Sequence, residues 1–178
     1  EEFLGKGVSY CATCDGAFYK DKDVVVAGGG DTALSEALYL SKICRKVYLV
    51  HRRDELRGNK AYQDEISARE NIEFIGNAVI DEIKGDSHVT ALLYHDKVSD
   101  AQCMLKIDGI FVAIGMKPDT GIVKGIAAMD EYGYIIAGED GRTNVDGLFV
   151  AGDIRKKQLR QLITAVSDGA NCITSVEE

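Results

Sequence analysis

The sequence has no run near the roughly 20 apolar residues that a bilayer crossing requires, and its opening Glu1-Glu2-Phe3 lacks the charged-then-apolar build of an export signal. It is also short of positive charge: 21 Lys and Arg against 29 Asp and Glu leave a formal net charge of -8 at pH 7. Nucleic acid and anionic membrane surfaces are thereby excluded as main partners, since both demand a basic face. The 5 cysteines are odd in number and only Cys11 and Cys14 lie close together, which excludes the even framework of a secreted disulfide scaffold. A second C-x-x-C is missing and His51, His88 and His95 are scattered, so no metal site is predicted. Repeats and low-complexity tracts are absent, and proline occurs once, at Pro118. A cytoplasmic protein is the expectation. Because Met does not open the chain, a fragment with sequence missing upstream is also expected.

What is present suits a globular protein. In 178 residues, 46% are apolar and 28% charged, enough to bury one core or two small ones. Asp23 to Ala27 is a β-branched run that meets Gly28-Gly29-Gly30, after which Leu34, Ala37, Leu38 and Leu40 recur at helical spacing. Lys46 to Val50 predicts the next strand and closes a βαβ unit. A second helix is predicted over Glu55 to Glu70 and a third strand over Ile72 to Ile75. From Asn77 to Ile107 short apolar segments broken by Gly85-Asp86-Ser87 and Ser99-Asp100 predict an antiparallel meander, and Ile110 to Ile114 a strand covered on both faces. Pro118 marks the expected domain boundary, and a last helix is predicted from about Gln158 to Val176.

Gly28-x-Gly30-x-x-Ala33 follows a strand and opens a helix, the context in which such a loop binds a dinucleotide. Its glycines let the backbone approach a pyrophosphate, and the first amides of the helix hold the charge. A plain tight turn is the bland alternative. About 20 residues on, where an NAD site places an acid for the ribose 2'-OH, the second strand instead ends in His51-Arg52-Arg53, with Arg57 one helical turn beyond. Guanidinium forks bind a 2'-phosphate by charge-assisted hydrogen bonds, so NADPH is the expected nucleotide.

Cys11-Ala12-Thr13-Cys14 spaces two thiols as a short disulfide loop does when the segment turns like a helix start. Asp15 adjoins the pair and is a candidate to shuttle a proton during exchange. From spacing alone, half of a zinc site or a structural pair stays open. Cys44, Cys103 and Cys172 read as ordinary packed side chains.

In that order and spacing, Cys11 to Gly16, Gly28 to Ala33, Glu36 to Leu40, and His51-Arg52-Arg53 with Arg57 make the chain similar to the low-molecular-weight bacterial type of thioredoxin reductase. The similarity continues through Gly109 to Gly115, Pro118, Thr120, Thr143 to Asp153 and Leu159-Arg160-Gln161, and covers essentially the whole chain. It implies an α/β fold: a Rossmann-like NADPH-binding domain with an antiparallel meander over residues 1–116, and the C-terminal portion of an FAD-binding domain over 117–178. It implies a hydride passed from NADPH to FAD, then reduction of a Cys11-Cys14 disulfide and dithiol exchange with thioredoxin, in a parent that is a homodimer alternating between two domain orientations. Cys14 would face the flavin, Cys11 would attack thioredoxin, and Asp15 would be the general acid. Carried over residue by residue, the nucleotide side comprises Gly28, Gly29, Gly30, Asp31, Thr32, Ala33, Glu36, His51, Arg52, Arg53, Arg57, Ile114 and Gly115, and the flavin side Gly152, Asp153, Arg160, Gln161 and Leu162. The chain departs from the family at Ser35, where a Glu is frequent, and at Asp31, where an Asn is. The family's upstream glycine-rich loop for the FAD pyrophosphate is absent, so weak or no flavin binding is expected of this chain alone. A peroxidase-reducing flavoprotein and a flavin-free NADP(H)-binding module without turnover are the rival readings.

Overall fold

A computed structural model describes residues 2–177. The chain divides into two compact units, Glu1–Gly115 and Met116–Glu178.

In the first unit, β1 (Val8–Ser9) leads into a one-turn helix α1 (Ala12–Asp15) and a 3-10 turn at Gly16–Tyr19. Then come β2 (Asp23–Ala27), α2 (Asp31–Leu40), β3 (Lys46–Val50), α3 (Lys60–Ser67) and β4 (Ile72–Ile75). A meander of β5 (Ala78–Gly85), β6 (Val89–Asp96) and β7 (Ala101–Lys106) precedes β8 (Gly109–Val112). Five strands form a parallel sheet in the order β1-β8-β2-β3-β4, and the meander is a separate antiparallel sheet, β5-β6-β7. This is the Rossmann-like α/β arrangement with an antiparallel meander.

The run Val24-Val25-Val26-Ala27 is apolar at every position because both faces of the sheet are covered. Alternation sends Val24 and Val26 into one core with Leu34, Leu38, Leu40 and Leu49, against the helices. It sends Val25 and Ala27 into another with Ala78, Val89, Leu92 and Ile110, against the meander. Each buried Leu or Val in these layers contributes about 1.5–3 kcal/mol by leaving water. From β2 the chain moves to β3 and β4 on one side, while β8 and β1 flank it on the other. The end of β2 is therefore the topological switch point, where open α/β sheets place their crevice.

Two helices are shorter than predicted. The predicted span from Glu55 contracts to α3 because residues 52–58 form a loop that returns to Gly29, and only then does the Asn59 side chain cap Ala61 N–H. In the second unit the last helix, α4 (Leu162–Glu177), begins after Gln161 because the preceding segment is tied back: Arg160 Nε donates to the Asp153 carbonyl and its guanidinium stacks over Tyr134. That unit has a small apolar core of Ala127, Ile135 and Val150. Beside it is a buried cluster in which Asp168 accepts from Arg155, Lys157 and the Gly152 amide. Leu162, Ile163, Val166, Ile173 and Val176 of α4 stay exposed. No helix among the described residues is long and apolar enough to cross a membrane.

Candidate functional site

At the tip of β2, Gly28 takes φ +152°, and a Cβ there would collide with the Ala113 carbonyl just beyond β8. The turn is thus pressed into the switch point in a conformation that favours glycine. Gly30 then stands as the N-cap of α2 with no side chain to satisfy the first amides of the helix, those of Asp31, Thr32 and the buried Ala33. Around a Cβ at Gly30 there is open space, with nothing within 4 Å.

The loop after β3 is bolted to this turn. Gly29 carbonyl accepts the amides of Arg57 at 2.7 Å and Gly58 at 3.2 Å, and Asp31 Oδ1 accepts the Asn59 amide at 2.6 Å. Gly58 permits the approach, since a Cβ on it would meet Leu34 and the Asp31 amide. Arg52, Arg53 and Arg57 are therefore held beside the glycine turn with their side chains exposed. His51 is different: it is buried, its ring lies under Gly29, and its Nε2 is buried without a hydrogen-bond partner among the described residues. Burial and then the charges of Arg57, Arg53 and Arg52 lower its pKa, so the ring is neutral at neutral pH. It supports the loop from below while the three arginines form the cationic rim.

Cys11 and Cys14 form a disulfide with Cα atoms 5.3 Å apart, Cys11 being the N-cap of α1. Cys14 N–H donates to Cys11 Sγ at 3.2 Å, and Thr13 Oγ1 lies 3.4 Å from the same sulfur. Asp15 accepts from the hydroxyl of Ser9 at 2.7 Å. Glu36, which the resemblance assigns to the nucleotide side, reaches the dithiol turn: its Oε1 accepts the Ala12 amide at 3.3 Å, and its Oε2 is buried without a hydrogen-bond partner among the described residues. Burial raises the pKa of this carboxyl, opposed by the Ala12 hydrogen bond. Helix α2 thus carries the glycine turn at one end and touches the dithiol turn along its side.

Of the remaining predicted residues, Ile114 and Gly115 are exposed at the end of the first unit. In the second unit, Gly152 takes φ +81° and opens a 3-10 turn, Asp153 and Leu162 are exposed, and Arg160 and Gln161 are half-buried. The structure therefore gathers Cys11, Cys14, Asp15, Gly28 to Ala33, Glu36, His51 and the arginines in the first unit, and Gly152 to Leu162 in the second. Motif reading missed Ser9 at the disulfide and the Arg155–Asp168 pair behind Gly152. Ser9 had a faint local signal, a serine two residues before a cysteine that opens a turn.

The chain is 46% identical to a thioredoxin reductase of Peptoclostridium acidaminophilum over 184 residues, covering 100% of this chain and 58% of that protein. It is 45% identical to one from Listeria innocua, covering 95% of this chain and 53% of the relative. The crystal structure of thioredoxin reductase from Streptococcus pyogenes superposes with a TM-score of 0.89 at 42% identity, over 97% of this chain and 58% of that one. The chain thus spans somewhat more than half the length of the relatives it matches, and the resemblance read from the motifs is borne out. With the family model for pyridine nucleotide-disulphide oxidoreductases matching residues 1–169, nearly its whole length, this chain belongs to that family.

Proposed function

We propose that the chain provides the NADPH-binding and dithiol unit of a thioredoxin-disulfide reductase, residues 1–116, together with part of an FAD-binding domain, residues 117–178. The observation that carries this reading is the bond from the Ala12 amide to Glu36, which places the dithiol turn and the glycine-turn helix in one folded body.

The residues fit the nucleotide. Uncapped amides at the start of α2 and the open space over Gly30 suit a pyrophosphate, and three exposed guanidinium groups suit a 2'-phosphate. They fit FAD in part. Asp153, Arg160 and Gln161 offer a carboxylate, a guanidinium and an amide in one segment, yet among the described residues the strand–glycine–helix element occurs only at β2. When bound, FAD would supply hydride acceptance and two-electron transfer toward the disulfide, with Asp153, Arg160 and Gln161 among the residues that would hold it. The chain's own residues do the rest. Arg52, Arg53 and Arg57 bind and orient the nucleotide, and Gly28 to Gly30 let it approach the backbone. Once reduced, Cys11 attacks the thioredoxin disulfide as the thiolate, Cys14 resolves the mixed disulfide, and Asp15 moves the proton.

The fit at Gly30 has a direct check. Gly30 sits at φ -98°, which alanine tolerates, so Gly30→Ala should change stability by under about 1 kcal/mol. Its methyl group would project into the space a pyrophosphate needs, and NADPH affinity should fall roughly tenfold, about 1.4 kcal/mol by calorimetry. Gly28→Ala should instead unsettle the fold itself, visible as a lower melting temperature without ligand.

For the partner, the test is a trap. Reduced Cys14→Ser chain mixed with oxidised thioredoxin should accumulate a mixed disulfide through Cys11, seen by non-reducing electrophoresis and mass spectrometry. The Cys11→Ser chain should not. Equal trapping by both, or none by either, would remove the dithiol from the proposed reaction.

A further inference from the structure

Ser9 is 3% exposed and sits in β1, where it pairs with Phe111 of β8. Its oxygen accepts the Cys11 amide at 3.1 Å, and its hydroxyl donates to Asp15 Oδ2 at 2.7 Å. The other acceptor in reach, the Cys11 carbonyl at 3.4 Å, is the weaker of the two. One buried hydroxyl therefore ties the backbone at the first cysteine to the carboxyl that follows the second.

We propose that Ser9 is a positioning residue for disulfide exchange: it anchors the Asp15 carboxyl to the edge of the parallel sheet so that the carboxyl stays at the dithiol turn in both redox states. The proposal rests on the reading of Asp15 as the proton carrier. Asp15 is half-buried and ends a helix of one turn, so helix packing alone does little to fix its rotamer. Ser9 is fixed by strand pairing with β8, and the 2.7 Å bond ties the carboxyl to that strand. Charged or titratable neighbours are few: Glu36 faces the turn from α2 through the Ala12 amide, and Tyr19, whose pKa is raised by burial and then by the Asp15 charge, faces it from the 3-10 turn.

The exchange can be followed without flavin. The Cys11 thiolate attacks one sulfur of glutathione disulfide, the S–S bond breaks, and a glutathione thiolate leaves and takes a proton. Cys14 gives its proton to Asp15 and attacks Cys11, reforming the protein disulfide and expelling the second glutathione, which takes that proton back. Two electrons pass from the dithiol to one glutathione disulfide, and two protons end on two glutathione thiols.

The experiment is the rate of reoxidation of the pre-reduced 178-residue chain by glutathione disulfide, measured across pH. Asp15→Asn should be slow and should have a changed pH–rate profile. Ser9→Ala should slow exchange roughly tenfold, a fraction of the roughly 100- to 10,000-fold that a positioned proton carrier contributes. Its profile should take the shape of the Asp15→Asn profile, and the double variant should be no slower than Asp15→Asn alone. Ser9→Thr, which keeps the hydroxyl, should restore the rate and the wild-type profile. If Asp15→Asn is impaired while Ser9→Ala matches wild type, or if the two losses multiply, the positioning role is wrong and the proton carrier stands. If Asp15→Asn itself is unchanged, the proton-carrier reading fails and takes this proposal with it. A Ser9→Thr rate as low as that of Ser9→Ala would show that bulk at this buried site, not the hydroxyl, is what matters, and would also overturn the proposal.

Discussion

Replacing Arg52 and Arg53 together by glutamate should weaken NADPH binding by about 3–6 kcal/mol, at roughly 1.5–3 kcal/mol for each charged hydrogen bond lost. That is on the order of a hundredfold to ten-thousandfold in affinity. NADH lacks the 2'-phosphate, so its affinity should change little, and the quantity to measure is the ratio of the two dissociation constants by calorimetry. The structure makes the experiment clean. Among the described residues neither side chain makes an ion pair, and both are exposed, so the exchange breaks no salt bridge and should alter stability by no more than about 0.5 kcal/mol. The loop stays put because it is bound through its backbone, by the Arg57 and Gly58 amides on Gly29. Raising ionic strength should erode NADPH binding to the wild type and leave NADH binding nearly flat, since exposed charges are screened beyond about 8–10 Å. An equal loss for both nucleotides would mean that the rim does not read the phosphate.

How much of this was legible in the sequence follows from where the information sits. Asp23–Ala27, Gly28 to Gly30 and α2 were readable because an apolar run, a glycine turn and a helical period are local patterns, each set by its own neighbours. The meander was readable for the same reason, through its turn residues. The extent of α3 was not. Residues 55–58 carry a helical pattern, but the Arg57 and Gly58 amides bond to Gly29, some 28 residues away, and that tertiary bond outweighs propensity. Glu36 shows the same limit at the site. The resemblance assigns it to the nucleotide side, and its added contact with Ala12 depends on how α2 packs against the turn at Cys11, which no local pattern encodes. His51 stands in a basic string with Arg52 and Arg53, yet in the loop that follows β3 its ring is buried beneath Gly29 while the arginines stay exposed, a difference set by the packing of that loop on the glycine turn. Asp168 had no motif at all, because its partners lie 13 and 11 residues back and meet it only once α4 has docked.

Asp168→Ala should destabilise the second unit by about 3–5 kcal/mol, the usual result of leaving a buried cation without its anion. Asp168 accepts a forked pair of bonds from Arg155, at 2.7 and 3.1 Å, with Lys157 at 2.9 Å and the Gly152 amide at 2.9 Å. Side-chain exposures of 10% for Arg155, 8% for Lys157 and 6% for Asp168 leave little water to take over. Removing the carboxylate strands two cations and frees the Gly152 turn that presents Asp153. Among the described residues the apolar core beside it has three buried hydrophobic side chains, Ala127, Ile135 and Val150, so a loss of this size is large for the unit. Hydrogen exchange resolved by residue is the measurement: amides in 116–177 should lose protection while those of β2, β3 and β8 keep theirs. Replacing Arg155, Lys157 and Asp168 together by Met, Met and Leu should be near neutral or stabilising, because the desolvation penalty of the ions disappears with the ions. The dependence on pH has a definite sign. Hydrogen bonds from Arg155 first, then from Lys157 and the Gly152 amide, outweigh burial and hold the folded carboxyl well below the usual carboxylate range. The stability it contributes is therefore complete above the unfolded carboxylate pKa, near 3.9, and is lost progressively as pH falls from there toward the depressed folded value. Protection in the second unit should accordingly be flat from neutrality down to about pH 5 and decline in stronger acid, and Asp168→Ala should lack that decline. A variant that lost protection equally in both units, or by under about 1 kcal/mol, would show that the ion cluster does not hold this turn.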